Sequence, residues 1–322
     1  MRHISKAIKV NSLTTRNHDR RIRCPTARFR KHLQSQRQSR SRNGRVARAR
    51  TTRRIRVCHI SLPNITPTIL TRSLSLLQAG CSKVFITSRK ASACTSAVAA
   101  LNALPNKPSS SVAIAIPADS SKLSEIERLV AEVAKHTDHV DILFANAGAT
   151  WGAPFAETDE KNGWDRVMDL NVKGVFFTIQ KFTPLLGKNA TVEDPSRVIV
   201  TGSIAGLTVG SLGPAGAYSY AASKAAVLHL ARNLAVELGP KRILVNGIAP
   251  GFFMSKMAKG LMEQEGGEEA LGKANPNGRV GRPEDVAAAV VYLSSRAGGH
   301  VNGDTLVLDG GKIWGSSRLE KL

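Results

Sequence analysis

The sequence predicts an α/β fold, a doubly wound parallel sheet in a single domain preceded by a disordered basic arm. Three observations carry this. Short apolar runs without polar alternation recur between amphipathic helical stretches, as expected where parallel strands are buried on both faces. Several of those runs end in Gly- or Asn-bearing loops, where such sheets bind ligands. The charge is also unevenly placed. Residues 1–56 hold 19 Lys and Arg against one acid, Asp19, whereas residues 57–322 hold 27 against 23, so one segment creates most of the net charge of +22.

The segment 1–56 includes RRIRCPTARFRKH and SRSRNGRVARARTTRRIR. It has few large apolar residues and no helical or strand period, so it cannot bury enough surface to fold alone. Three readings stand beside one another: an Arg- and Ser-rich transit peptide, a phosphate-binding nucleic-acid arm without interleaved aromatics, and a mis-joined segment outside the functional fold. The last is preferred, with residues 57–322 as the domain. Cys24, Cys58, Cys81 and Cys94 form no CxxC pair and have no nearby His at metal spacing. They read as reduced thiols, and no metal is expected. No run of about 18 apolar residues suggests a membrane span.

Along the domain, SKVFITSR, VAIAIPAD, VDILFANAG, SRVIVTGS, RILVNGIAPG and DTLVLDGG read as strands. The stretch SSKLSEIERLVAEVAKH places Leu123, Ile126, Leu129, Val130, Val133 and Ala134 on one helical face. RPEDVAAAVVYL opens a helix with Pro283 in its first turn and Glu284 and Asp285 at its positive end. Functional residues are expected at the strand ends: Arg89, Asp119, Asn146 to Gly148, Gly202–Ser203 and Pro250–Gly251.

Two helical stretches interrupt their own apolar stripes. In GAYSYAASKAAVLHLARNLAVEL, Tyr220 and Lys224 extend the face of Val227, Leu228 and Ala231. Spaced four apart, they point the same way from adjacent turns. The plain alternative is that both tips snorkel to solvent. In NGWDRVMDLNVKGVFFTIQKF, Asn171 breaks a face formed by Trp164, Val167, Met168 and Val175, and a buried carboxamide needs partners. A structural Asn bonded to backbone is the plain alternative there. With Ser203 at a strand end, these residues form a polar group suited to a catalytic cleft.

FANAG, LNVKGVFF, VIVTGS, YAASK, VNGIAPG and VNGDTLVLDGG, in this order, resemble the short-chain dehydrogenase/reductase family from about residue 74 to 315. The resemblance implies a Rossmann-type domain that interconverts a ketone, including 3-oxoacyl or other hydrophobic carbonyls, and a secondary alcohol by hydride transfer. Tyr220 is then the general acid/base, and Lys224 lowers its pKa and binds the nicotinamide ribose. Ser203 holds the substrate oxygen, and Asn171 anchors a relay water. Asn146 steadies the central strand. Pro250 and Gly251, with Ser255, contact the nicotinamide and phosphate. Arg89, followed by Lys90, stands where an Arg suits the 2′-phosphate of NADP, while an acid there would suit NAD; Asp119 flanks the adenine. The family implies a homodimer or homotetramer acting on a small-molecule substrate, with no membrane partner and no nucleic acid. A cytoplasmic location is expected, or a mitochondrial one if the arm is a transit peptide. The variable segment 252–278, with FFMSKM, reads as an apolar lid.

Two departures stand out. The family's TGxxxGxG loop should fall near residues 62–69, where the sequence is LPNITPTI, with Pro63, Pro67 and Ile69 near the glycine positions. Between Gly44 and Gly148 the only glycine is Gly80. Proline has no amide proton and a fixed φ, so it cannot replace a glycine that donates to phosphate. A cofactor-deficient scaffold or regulatory protein is the alternative this raises. Ser203 also lies 17 residues before Tyr220, which makes Thr208 and Ser211 fallback candidates for its role.

Overall fold

The computed structural model describes residues 56–61, 73, 75–105, 107–254 and 266–315, all within one compact unit, Arg53–Leu322. Seven strands form the sheet: β1 Arg56–Ser61, β2 Cys81–Thr87, β3 Val112–Ala115, β4 Ile142–Ala145, β5 Ser196–Thr201, β6 Ile243–Pro250 and β7 Thr305–Leu308. Their order is β3-β2-β1-β4-β5-β6-β7 and every pairing is parallel. The order reverses between β1 and β4, the place where doubly wound sheets bind ligands.

The apolar runs become strands because both of their faces are covered. Neighbouring residues on one strand feed opposite cores. Phe85, Leu143, Val198 and Val245 pack with Leu129, Val133, Phe182, Val227 and Ala231 on one side. Val84, Phe144, Ile199 and Ile248 pack with Leu77, Leu101, Val286 and Val290 on the other. The helices supplying these layers are α1 Ala91–Asn102, α2 Leu123–His136, α3 Gly174–Gly187, α4 Tyr218–Leu238 and α6 Pro283–Ser294, with the shorter α5 Gly267–Lys273 and α7 Lys312–Gly315. The start of α6 is fixed as its sequence suggests: Asp285 accepts from the Arg282 amide at 2.8 Å and takes a two-point ion pair from Arg279. Cys81 and Cys94 are buried. Among the described residues there is no cluster of metal-ligating side chains, and no helix is long and apolar enough to cross a membrane.

Three details differ from the sequence reading. RVCHIS, which shows no clear strand pattern, is β1 and lies at the centre of the sheet between β2 and β4. In α2 only Ile126, Leu129 and Val133 are fully buried, while Leu123 is exposed and Ala134 faces outward. The stripe through Trp164 also breaks. Glu160–Asp165 and Asp169–Lys173 are wound as π-helix, which adds residues to each turn and rotates the face. Trp164 is consequently exposed and Met168 half-buried, while Leu170 joins Val167 and Asn171 inside.

Candidate active site

All the expected strand-end residues within the described part of the chain do lie at the carboxyl edge of the sheet. Asn146 follows β4, Ser203 follows β5, and Pro250 closes β6. Asn146 Oδ1 accepts from the Thr201 hydroxyl at 2.9 Å, tying β4 to β5. The Thr201 carbonyl accepts from Lys224 Nζ at 2.7 Å. One continuous set of bonds thus joins two strand ends to the ammonium.

Helix α4 is brought against this edge by close backbone approach. A Cβ at Gly206 would stand 2.5 Å from the backbone of Lys224 and Ala225, and one at Gly202 would meet Leu228 at 2.5 Å. The loop after β5 can therefore lie directly on the helix. Ser203 is buried, caps the turn Ile204–Gly206 by accepting from the Ala205 amide at 3.2 Å, and is near enough to the Tyr220 phenol to lower its pKa. Thr208 is exposed and bonds back to the Ile204 carbonyl. Ser211 uses its carbonyl to hold the Ala217 amide. Ser203 is the hydroxyl that meets the phenol.

Tyr220 and Lys224 share a helix face, with Nζ 5.6 Å from the ring centroid. Lys224 is buried, and desolvation pulls its pKa down to about 8. The expected lowering of the Tyr220 pKa by Lys224 is not what this geometry produces. Burial raises the phenol's pKa, partly offset by the Ser203 hydrogen bond. The ammonium donates to the Thr201 carbonyl, and burial is the largest influence on the phenol.

Asn171, nearly inaccessible, is held on both sides. Its Oδ1 accepts from the Ala149 amide at 2.8 Å, and its Nδ2 donates to the Ala149 carbonyl and to Ser223 Oγ, each at 2.9 Å. Ser223 in turn donates to the Tyr220 carbonyl at 2.7 Å. A Cβ at Gly148 would lie 3.3 Å from Asn171 Oδ1 and 3.4 Å from Lys224 Nζ, so both polar groups close on that glycine. Sequence reasoning missed Thr201 and Ser223. The signal for Ser223 was its place beside Lys224 on the same inward side of YAASK; Thr201 gave none beyond ending a strand.

The other candidates are spread along the sheet edge. Arg89 and Lys90 are exposed immediately beyond β2. Since β2 is three strands from β5, strand spacing alone separates the two ends by roughly 14 Å. Asp119, beyond β3, accepts from the amide and hydroxyl of Ser121 at 3.1 and 2.7 Å. Gly251 donates to the Leu308 carbonyl at 3.0 Å. Ser255 and residues 62–69 lie outside the described residues.

Comparison with known proteins agrees with this architecture. The family model described as enoyl-(acyl carrier protein) reductase matches residues 73–312. The Pseudomonas aeruginosa 3-oxoacyl-(acyl-carrier-protein) reductase of rhamnolipids biosynthesis is 41% identical over 236 residues, 73% of this chain and 88% of that protein. The 5-keto-D-gluconate 5-reductase of Escherichia coli is 36% identical over 201 residues, 62% of this chain and 76% of that protein. The solved Pseudomonas aeruginosa RhlG/NADP active-site complex aligns with a TM-score of 0.72 and 38% identity, covering 80% of this chain and 96% of that chain. These similarities identify an NAD(P)-dependent oxidoreductase with a Rossmann-type sheet. The chain belongs to the short-chain dehydrogenase/reductase family.

Proposed function

We propose that this chain is an NADP-dependent reductase of ketones, running the reverse oxidation when conditions favour it. The observation that carries the proposal is the juxtaposition of Tyr220 with a buried Lys224, Nζ 5.6 Å from the ring centroid, and a buried Ser203 at the carboxyl edge of the sheet. The described residues fit the cofactor at both ends of the edge. Arg89 and Lys90 offer exposed positive charge for a 2′-phosphate, Lys224 would hold the nicotinamide ribose, and Pro250 and Gly251 would contact the nicotinamide amide and phosphate. Asn146, after β4, lies between them, and Asp119, after β3, lies on the outer side of Arg89. The RhlG complex that this chain resembles is one with NADP, which supports the same choice of cofactor.

When bound, the reduced nicotinamide supplies a hydride to a carbonyl carbon. The Tyr220 phenol, whose pKa burial raises, gives its proton to the carbonyl oxygen. Ser203 donates to that oxygen as charge develops on it. Lys224 would hold the nicotinamide ribose beside it. Asn171 holds Ala149 and Ser223 in place, and the remaining lone pair of its Oδ1, close to Lys224, is the place for a relay water.

A second reading, a cofactor-deficient scaffold, is favoured by LPNITPTI where the phosphate loop should stand. Titrating the full chain with NADPH while following nicotinamide fluorescence separates the two. Saturable binding with ketone-dependent NADPH oxidation supports the reductase. No binding up to millimolar cofactor overturns it in favour of the scaffold.

We further propose that the catalytic domain spans residues 57–322, that it works as a homodimer or homotetramer, and that it is cytoplasmic. Light scattering reads the mass, and a reporter fused to residues 1–56 tests mitochondrial import.

A further inference from the structure

Helix α4 carries two buried serines, Ser219 and Ser223, each standing immediately before Tyr220 or Lys224. Spaced four apart, the serines share one face of the helix on adjacent turns. A buried hydroxyl needs a partner, and both find one on the same neighbouring stretch of chain. Ser219 Oγ donates to the Gly163 carbonyl, inside the first π-wound segment, Glu160–Asp165. Ser223 Oγ accepts from Asn171 Nδ2 at 2.9 Å, inside the second, Asp169–Lys173.

The bonds are directional. Ser223 has one hydroxyl proton and gives it to the Tyr220 carbonyl at 2.7 Å, so toward Asn171 its oxygen can only accept. The two Nδ2 hydrogens of Asn171 then go to Ser223 and to the Ala149 carbonyl. Its Oδ1 is left on the side of the Ala149 amide and Gly148, where Lys224 Nζ also closes in. At the other contact, a Cβ on Gly163 would meet the Trp151 side chain at 2.9 Å. The glycine thus lets the first π-wound segment touch both the loop after β4 and α4. A π turn shifts the residues that follow it round the axis, so regular packing ridges do not continue across it. Two hydroxyl bonds, one to each π-wound segment, supply the register that ridge packing does not.

We propose that Ser219 and Ser223 are positioning residues, a two-point clamp that sets the rotation of α4 on the π-wound stretch and so the placement of Tyr220 and Lys224 against Ser203 and Asn171. This rests on the reductase reading and deepens it. Both hydroxyls are bonded to protein and act through the residues that follow them and through Asn171.

The test uses the full chain with NADPH and one ketone, well below the melting temperature. Ser219→Ala and Ser223→Ala keep the helix, since alanine is the better helix former. About 1 Å of misplacement costs roughly 100-fold, so a shift of a few tenths should lower kcat by about five- to tenfold in each variant, with the KM for the ketone little changed. In an Asn171→Ala background, Ser223→Ala should cost less than about twofold, because the group it acts through is gone. Hydrogen exchange followed by mass spectrometry reads the clamp without turnover: peptides covering 160–173 and 218–224 should both exchange faster in Ser223→Ala. Faster exchange in a chain whose wild type reduces no ketone would sink the reductase reading and keep the clamp. Unchanged exchange in both segments overturns the clamp. An unchanged kcat in both variants, or a lower melting temperature without a lower kcat, overturns the positioning role. A further tenfold loss from Ser223→Ala in the Asn171→Ala background overturns the route through Asn171.

Discussion

Lys224 Nζ lies 5.6 Å from the centre of the Tyr220 ring while it donates to the Thr201 carbonyl at 2.7 Å. The ammonium is thus held near the Tyr220 ring by a neutral acceptor, and among the described residues no carboxylate pairs with it to compensate its burial. Its pKa of about 8 is the result. An unfolded lysine stays protonated to about pH 10.4. Between the two values the unfolded chain binds more protons than the folded one, so stability rises with pH across this window and the penalty is complete below pH 8. The magnitude is about 3 kcal/mol at most. Urea unfolding of wild type should show increasing stability from pH 8 toward 10, and Lys224→Met should remove that slope while raising stability at pH 7. A slope retained in the variant would assign the titration elsewhere.

Catalysis should separate the hydroxyls. Tyr220→Phe removes the proton donor, and a loss of about 10²–10⁴ in kcat follows with cofactor affinity retained. Ser203→Ala, which removes the bond to the reacting oxygen, should cost about 10²–10³. Thr208→Ala and Ser211→Ala touch neither group and should stay within a factor of about three on the same argument. Steady-state kinetics on one ketone decides it; an equal loss in Thr208→Ala would move the oxyanion role down the loop.

Much of this site was visible in the sequence because its residues violate apolar patterns. Tyr220, Lys224 and Asn171 interrupt stripes, and Ser203 ends an unbroken strand run. The strands were legible for the same reason: Ile142 to Ala145 are buried without exception. Arg56 and His59 gave β1 no apolar run to read, so its central place depends on pairing with β2 and β4. The face of residues 164–175 was misread because a 3.6-residue period does not describe π-wound turns. Thr201 and Ser223 were missed because small hydroxyls in apolar runs carry no periodic signal. Their bonds to Asn146, Asn171 and the Tyr220 carbonyl come from tertiary packing.

Gly148 tests how tightly the polar groups are set. A methyl there would stand 3.3 Å from Asn171 Oδ1 and 3.4 Å from Lys224 Nζ, close enough to move each by a few tenths of an ångström. Since about 1 Å of misplacement costs roughly 100-fold, Gly148→Ala should lower kcat about tenfold with little change in thermal stability. An unaltered kcat would mean that Lys224 tolerates displacement.

Arg89 tests the far end of the edge. It is exposed beyond β2, roughly 14 Å of strand spacing from β5, so its removal cannot disturb the Tyr220 centre through contact. A charged hydrogen bond to a 2′-phosphate contributes about 1.5–3 kcal/mol, which corresponds to roughly 10- to 150-fold in affinity. Arg89→Ala should therefore weaken NADPH binding by that factor while NADH, lacking the phosphate, loses little, and the NADPH-to-NADH preference should collapse. Arg89→Asp, offering an acceptor to a 2′-hydroxyl, should invert it. Lys90 sits next in sequence and is exposed as well, so Lys90→Ala should show a smaller drop of the same kind, since its flexible ammonium makes a single contact where a guanidinium makes two. Fluorescence titrations with both cofactors read all three variants. Equal losses for NADPH and NADH in Arg89→Ala would show that this residue supports the loop and does not read the phosphate.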